Sequence, residues 1–189
     1  KELSNQFRSC IQVILTSRDT ITTQPRGQQF VEAMMGLFDG AADGSGSAAD
    51  LSILLGLNVI LVVDAAKQSH SIAALVRGFR DHNAECNVAG VILNRVGSPR
   101  HEKMLREALN AIDMPVFGVV PRDEKLALPS RHLGLVQAEE HENVEQFIDF
   151  AAQHVSKSVQ MDRFHAHEAA KFAHGTVDRA RTLGTKALH

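Results

Sequence analysis

Leu57-Asn58-Val59-Ile60-Leu61-Val62-Val63-Asp64 is the stretch on which the fold turns. It is a continuous aliphatic run with no polar residue at alternate places. Such a run suits a strand buried on both faces, as in a parallel sheet. Downstream, Ile72, Leu75, Val76 and Phe79 recur at i, i+3, i+4 and i+7 within Ser71 to Asp81, which is one face of a helix. The unit then repeats. Asn87 to Asn94 reads as a second strand. Pro99 through Ile112 reads as a second helix, with Met104, Leu105, Ala108, Leu109 and Ile112 inward and Ser98 as N-cap ahead of Pro99. Pro115 to Pro121 is a third strand, closed by its proline. Strands alternating with helices of about ten to fifteen residues predict βαβ units in a doubly wound, mostly parallel α/β sheet.

Outside this rhythm the signals are weaker. Cys10 to Leu15 suits another strand, and Phe30 to Gly36 fits a strand or a helix. Gly40 to Ser47 is a loop of turn formers, followed by a short helix over Ala48 to Leu55. After about Ala138 the pattern becomes helical. Val144, Phe147, Ile148 and Ala151 share one face there, and a further polar helix is expected through Phe164 to Lys171. The chain thus divides into an unassigned segment 1–29, a core 30–140 and a helical segment 141–189.

Composition narrows the function classes. With 44% hydrophobic and 22% charged residues, a buried core is expected rather than disorder. A formal net charge of -2 gives no electrostatic basis for a nucleic-acid or anionic-membrane surface. The two cysteines, Cys10 and Cys86, have no zinc-site spacing and are expected to be reduced thiols in a cytoplasmic protein. No apolar run reaches the ~18 residues of a membrane span. The first residues lack the apolar segment of a signal peptide, and the absence of an initial Met suggests a trimmed or partial chain.

In doubly wound sheets, ligands bind beyond the carboxyl ends of the strands. That rule selects Glu32 with Asp39, Asp64, Asn94 with Arg95, and Pro121 with Arg122-Asp123. Any one of these also makes sense as a plain turn residue, so the set, expected to gather around a single crevice, is more informative than its members. A carboxylate at a strand end can hold Mg2+, which takes oxygen ligands and keeps several waters. A second carboxylate in the following loop can orient a substrate. Asn94 offers both a donor and an acceptor to a base edge. His165, His167 and His174 read as a solvated helix face before they read as a metal site.

These residues carry a resemblance. Glu32-Ala33-Met34-Met35-Gly36-Leu37-Phe38-Asp39-Gly40 is similar to the Glu-Gly-Val-Met-Gly-Leu-Phe-Asp-Gly type of segment of the cobyrinic acid a,c-diamide synthase family. The likeness continues through Gly46 to Asp50, Leu61 to Asp64, Gly90 to His101, Pro121-Arg122-Asp123 and Leu126 to Leu135. It implies an ATP-binding core at 30–140 of an enzyme that amidates the a- and c-acetate carboxylates of a corrin precursor, with ammonia from glutamine. The implied cofactors are ATP and Mg2+. On that likeness Glu32 helps hold Mg2+, Asp39 engages the substrate, and Asn94, Pro121 and Asp64 serve the nucleotide. Its partners are the corrin and an ammonia source, with a homodimer left open.

The sequence also departs from the pattern. No Gly-x-x-x-x-Gly-Lys-Ser/Thr phosphate loop occurs in it, and no cysteine sits in a glutaminase-like setting. Ala33 stands where the family's usual glycine would allow a positive φ, and Ala48 replaces a common threonine. The resemblance therefore implies an incomplete chain, relying on phosphate-loop and glutaminase segments found elsewhere. The competing readings are a non-catalytic binding module of the same descent and another P-loop-type protein, dethiobiotin-synthase-like or partitioning-type. Leu126 to Leu135 argues against the last.

Overall fold

The computed structural model describes residues 11–17, 29–33, 35–42, 45–126 and 144–160. The helix expected over Phe164 to Lys171, the three C-terminal histidines and the motif beyond Leu126 lie outside them. In chain order the elements are β1 (Ile11–Ser17), β2 (Gln29–Ala33), α1 (Ala48–Leu55), β3 (Asn58–Asp64), α2 (Ser71–His82), β4 (Val88–Val96), α3 (Pro99–Asn110), β5 (Val116–Pro121), a 3-10 turn (Glu124–Leu126) and α4 (Val144–Ser158).

One five-stranded sheet has the order β2-β1-β3-β4-β5. β3, β4 and β5 are parallel neighbours joined through α2 and α3, which is the expected α/β unit. β1 pairs antiparallel with both β3 and β2, so the parallel character stops at β3. Only residues 18–28 separate β1 from β2, too few for the crossover that a parallel pair requires. β2 consequently runs in the same direction as β3, and its carboxyl end faces the same sheet edge.

The continuous apolar run of β3 is buried on both faces. Val59, Leu61 and Val63 join the core formed with α1, α2 and α3, through Ala49, Ile72, Val76, Leu105 and Leu109. Ile60 faces the other way, among Ala89, Ile92, Phe117, Val120 and Val159, and there α4 packs on β5. The phenyl ring of Phe117 lies over Gly90, where an added Cβ would come within 2.5 Å of it.

The helix ends follow local chemistry. Ser47 caps α1 reciprocally: its Oγ accepts the Asp50 N–H at 3.1 Å and its own N–H donates to Asp50 at 3.2 Å. Gly56 ends α1 in the left-handed region at φ 65°. Ser98 caps α3 ahead of Pro99, its Oγ accepting the His101 N–H at 3.2 Å. The apolar stripe of α4 differs from expectation. Phe147, Ala151 and Val155 line the cleft on the sheet side, Val155 still 43% exposed, whereas Ile148 is 51% exposed, because among the described residues no layer covers that flank.

Cys86 is buried in the helix-covered core, 3.5 Å from Ser52 Oγ. Burial pushes its thiol above the ordinary range, and the Ser52 hydrogen bond offsets this only in part. The stabilisation from the retained proton is complete below the unfolded thiol pKa, roughly 8.5, and is lost as pH rises through the folded value. Urea stability is therefore expected to fall more steeply above about pH 8.5 in the parent protein than in Cys86→Ala. Unfolding midpoints across that range check it, and equal slopes would refute it.

Candidate functional site

Of the residues singled out by the strand-edge rule, all but Asp64 line two clefts. The first, about 530 Å³, is lined by Glu32 and Ala33 of β2, Met35 and Asp39 of the following loop, and Ser47, Asp50 and Leu51 at the start of α1. The loop is held by its apolar residues. Leu37 is fully buried, and its carbonyl accepts the Ala49 N–H at 2.9 Å. The Phe38 ring stacks on Phe79 of α2 at 6.1 Å between centroids. Between them, the Asp39 N–H donates to Gly36 O at 3.0 Å, closing a tight turn. The Asp39 carboxylate folds back over Gly36 into space that a Cβ would occupy. Glu32 and Asp39 are both exposed on this cleft.

Ala33 pairs with Val13 as an ordinary strand residue. Among the described residues the non-glycine positions of positive φ are Arg95 and Asp113. The alanine at 33 therefore carries no backbone penalty here, contrary to the expectation from the missing glycine.

The second cleft, about 730 Å³, opens at the carboxyl ends of β4 and β5. Val62, Ile92 and Val120 form its floor, Asn94, Arg95 and Pro121 to Glu124 its rim, and Phe147, Ala151 and Val155 of α4 its wall. A strand irregularity between Leu93 and Val96 places Arg95 at φ 60°. A left-handed non-glycine residue costs about 1–2 kcal/mol, so its partners matter. Asn94 Oδ1 accepts the Arg95 N–H at 2.9 Å, and the Arg95 guanidinium reaches Asp64 at 3.0 Å. Asp64 also accepts the Ala66 N–H at 3.0 Å, so both its oxygens are engaged. With its oxygen committed, Asn94 has amide N–H groups that no described residue accepts.

The structure thus brings Glu32 together with Asp39, and Asn94 with Pro121 and, through Arg95, Asp64. It does not gather all five into one crevice. Glu32 is level with Ile60 through Ile14, whereas Asn94 pairs with Asp64, four residues further along and three strands across. Strand spacing and rise put their Cα atoms roughly 20 Å apart. Among the described residues no three His, Cys, Asp or Glu side chains cluster as a metal cage. Mg2+ does not need one, since one or two carboxylates and substrate phosphates suffice; the exposed Glu32 and Asp39 on one cleft fit that requirement.

Residues 7–136 match the CobQ/CobB/MinD/ParA nucleotide binding domain. The chain belongs to that family. Every strand-edge residue of both clefts falls inside the matched CobQ/CobB/MinD/ParA segment. The protein called hydrogenobyrinate a,c-diamide synthase in Rhizobium meliloti (strain 1021) is 63% identical over 132 residues, which is 70% of this chain and 31% of that protein. Its namesake in Brucella ovis is 60% identical over 131 residues, 69% of this chain and 30% of the relative. That of Mesorhizobium japonicum is 48% identical over 135 residues, 70% and 31% respectively. The chain spans less than a third of the length of these curated relatives. No solved structure matches it.

Sequence reasoning missed several lining residues. Ser47 and Asp50 were legible as a capping box, since Ser-x-x-Asp precedes a helix. Val155 of α4 lines the second cleft only because α4 packs on β5, and His154, which does not line it, bonds to Pro121 of its rim. No described helix is long and apolar enough to cross a membrane.

Proposed function

We propose that the chain is the nucleotide-binding part of an ATP- and glutamine-dependent a,c-diamide synthase acting on a corrin precursor. The observation that carries this is the 63% identity to a protein of that name across 70% of the chain. The name of these relatives favours hydrogenobyrinate as that precursor. The remainder of the enzyme supplies the phosphate loop and the glutaminase.

The chemistry needs ATP because a carboxylate is a poor electrophile. ATP, when bound, supplies a phosphoryl group that converts an acetate side chain into an activated acyl donor; ammonia then forms the amide and phosphate leaves. In this reading the second cleft takes the adenine ring. Its aliphatic floor suits a flat apolar face, and the free Asn94 amide donors meet ring acceptors at its rim. Asp64 fixes Arg95 and thereby the Asn94 turn. In the first cleft Glu32 helps hold Mg2+, and Asp39 orients the substrate.

The complete enzyme, given hydrogenobyrinate, glutamine and Mg2+-ATP, is expected to yield a diamide by mass spectrometry; no diamide would sink the proposal. The base assignment has its own check. Asn94→Leu is expected to raise the ATP Kd about tenfold by removing one base hydrogen bond, with tripolyphosphate affinity unchanged. Equal weakening of both ligands would move the base elsewhere.

A further inference from the structure

α4 lies beyond the family-matched residues 7–136, yet it forms the wall of the second cleft. Its attachment is specific. At its carboxyl end Val159 bridges antiparallel to Gly118, and the Gln160 N–H donates to Phe117 O at 2.8 Å. Gly118 is required there, since an added Cβ would come within 2.7 Å of the Val159 side chain. Further up the helix, Lys125 Nζ lies 5.6 Å from the centre of the Phe150 ring.

A further tie is His154. Its Nε2 donates to Pro121 O at 3.2 Å, and its Nδ1 lies 4.0 Å from Asp123 Oδ2. The next peptide N–H, that of Arg122, donates to Val96 O at 2.9 Å. The Pro121–Arg122 peptide is therefore held at both polar ends, by β4 on one side and by α4 on the other. This peptide is part of the cleft rim. His154 is mostly covered, at 18% exposure, on a helix whose residues 152, 153 and 155–157 are exposed.

We infer that His154 is a positioning residue for nucleotide recognition: by pinning the Pro121–Arg122 peptide to α4, it sets the width of the cleft to that of a purine ring. The inference rests on the reading that the second cleft takes the base. His154 itself touches no ligand. It acts through Pro121 on the rim and through α4 on Phe147 and Val155 of the wall. Its contribution therefore belongs to the base half of a nucleotide and not to the phosphates.

The test uses the complete enzyme with His154→Gln and His154→Asn. The glutamine amide reaches about as far as imidazole Nε2 and can donate to Pro121 O; the asparagine amide is a methylene too short. Titrations with ATP and with tripolyphosphate separate base from phosphate binding. His154→Asn is expected to raise the ATP Kd about tenfold, His154→Gln less than about threefold, and tripolyphosphate affinity should hold in both. An unchanged ATP Kd in His154→Asn, a parallel loss of tripolyphosphate, or no rescue by glutamine overturns the role of His154. If the parent enzyme binds ATP no more tightly than tripolyphosphate, it is the base assignment that has failed.

Discussion

Glu32→Gln in the complete enzyme is expected to lower kcat for amidation about 100-fold or more, near 3 kcal/mol of barrier, with the fold unchanged. The amide keeps the size and one oxygen of the carboxylate but removes the charge that draws a divalent cation. Glu32 projects from the carboxyl end of β2 into the same cleft as Asp39, and the two are the strand-end and loop carboxylates of that site. Their proposed roles differ, and so should their variants. Glu32→Gln should raise the Mg2+ concentration needed for half-maximal rate. Asp39→Asn should lower kcat with that concentration unchanged. Rate against Mg2+, with circular dichroism as the folding control, distinguishes them. Unaltered turnover in Glu32→Gln would remove Glu32 from the site.

The largest effect on stability is expected at Gly90. The residue lies in β4, flanked by β3 and β5, and three atoms of the Phe117 ring stand 2.5 to 2.9 Å from where a Cβ would be. Phe117 is only 2% exposed, so the ring has no open side to which it can retreat. A β-branched residue has the better strand propensity, but here overpacking decides. Gly90→Val should cost about 3 kcal/mol, the upper part of the usual range for inserting methyl groups into a packed core. Shifts in urea-unfolding midpoint measure it. A second replacement, Phe117→Leu, should recover part of the loss, and additive losses would show that the clash is not the cause.

Much of the fold was legible because its signals are local. The unbroken aliphatic run of β3 announces burial on both faces, and Val59, Leu61 and Val63 are buried on one face and Ile60, with the partly buried Val62, on the other. Ser98 before Pro99 marks the start of α3, and the cap is there. Less local matters were not legible. The direction of β1 depends on which strands it pairs with, and an isolated strand carries no such mark. Ile148 has the helical spacing of a core residue, yet whether it is covered depends on a layer that the described residues do not provide on that side of α4.

The candidate site divides the same way. Residue types and their positions at strand ends are properties of the chain, so Glu32, Asp39, Asp64, Asn94 and Pro121 were nameable from it, as was the family their motifs resemble. Their partition into two clefts was not. It follows from β1 lying between β2 and β3 and from a register that leaves Glu32 level with Ile60 rather than with Asp64. His154 shows the same limit, since nothing near it in the chain points to Pro121, 33 residues away. The sequence by itself determined the central strands and helices from β3 to β5, the cap of α3 and the chemical groups available, because each depends on neighbours within a few turns of chain. Only the tertiary structure decided which groups share a cleft, because strand order and register are set by long-range hydrogen bonding and burial.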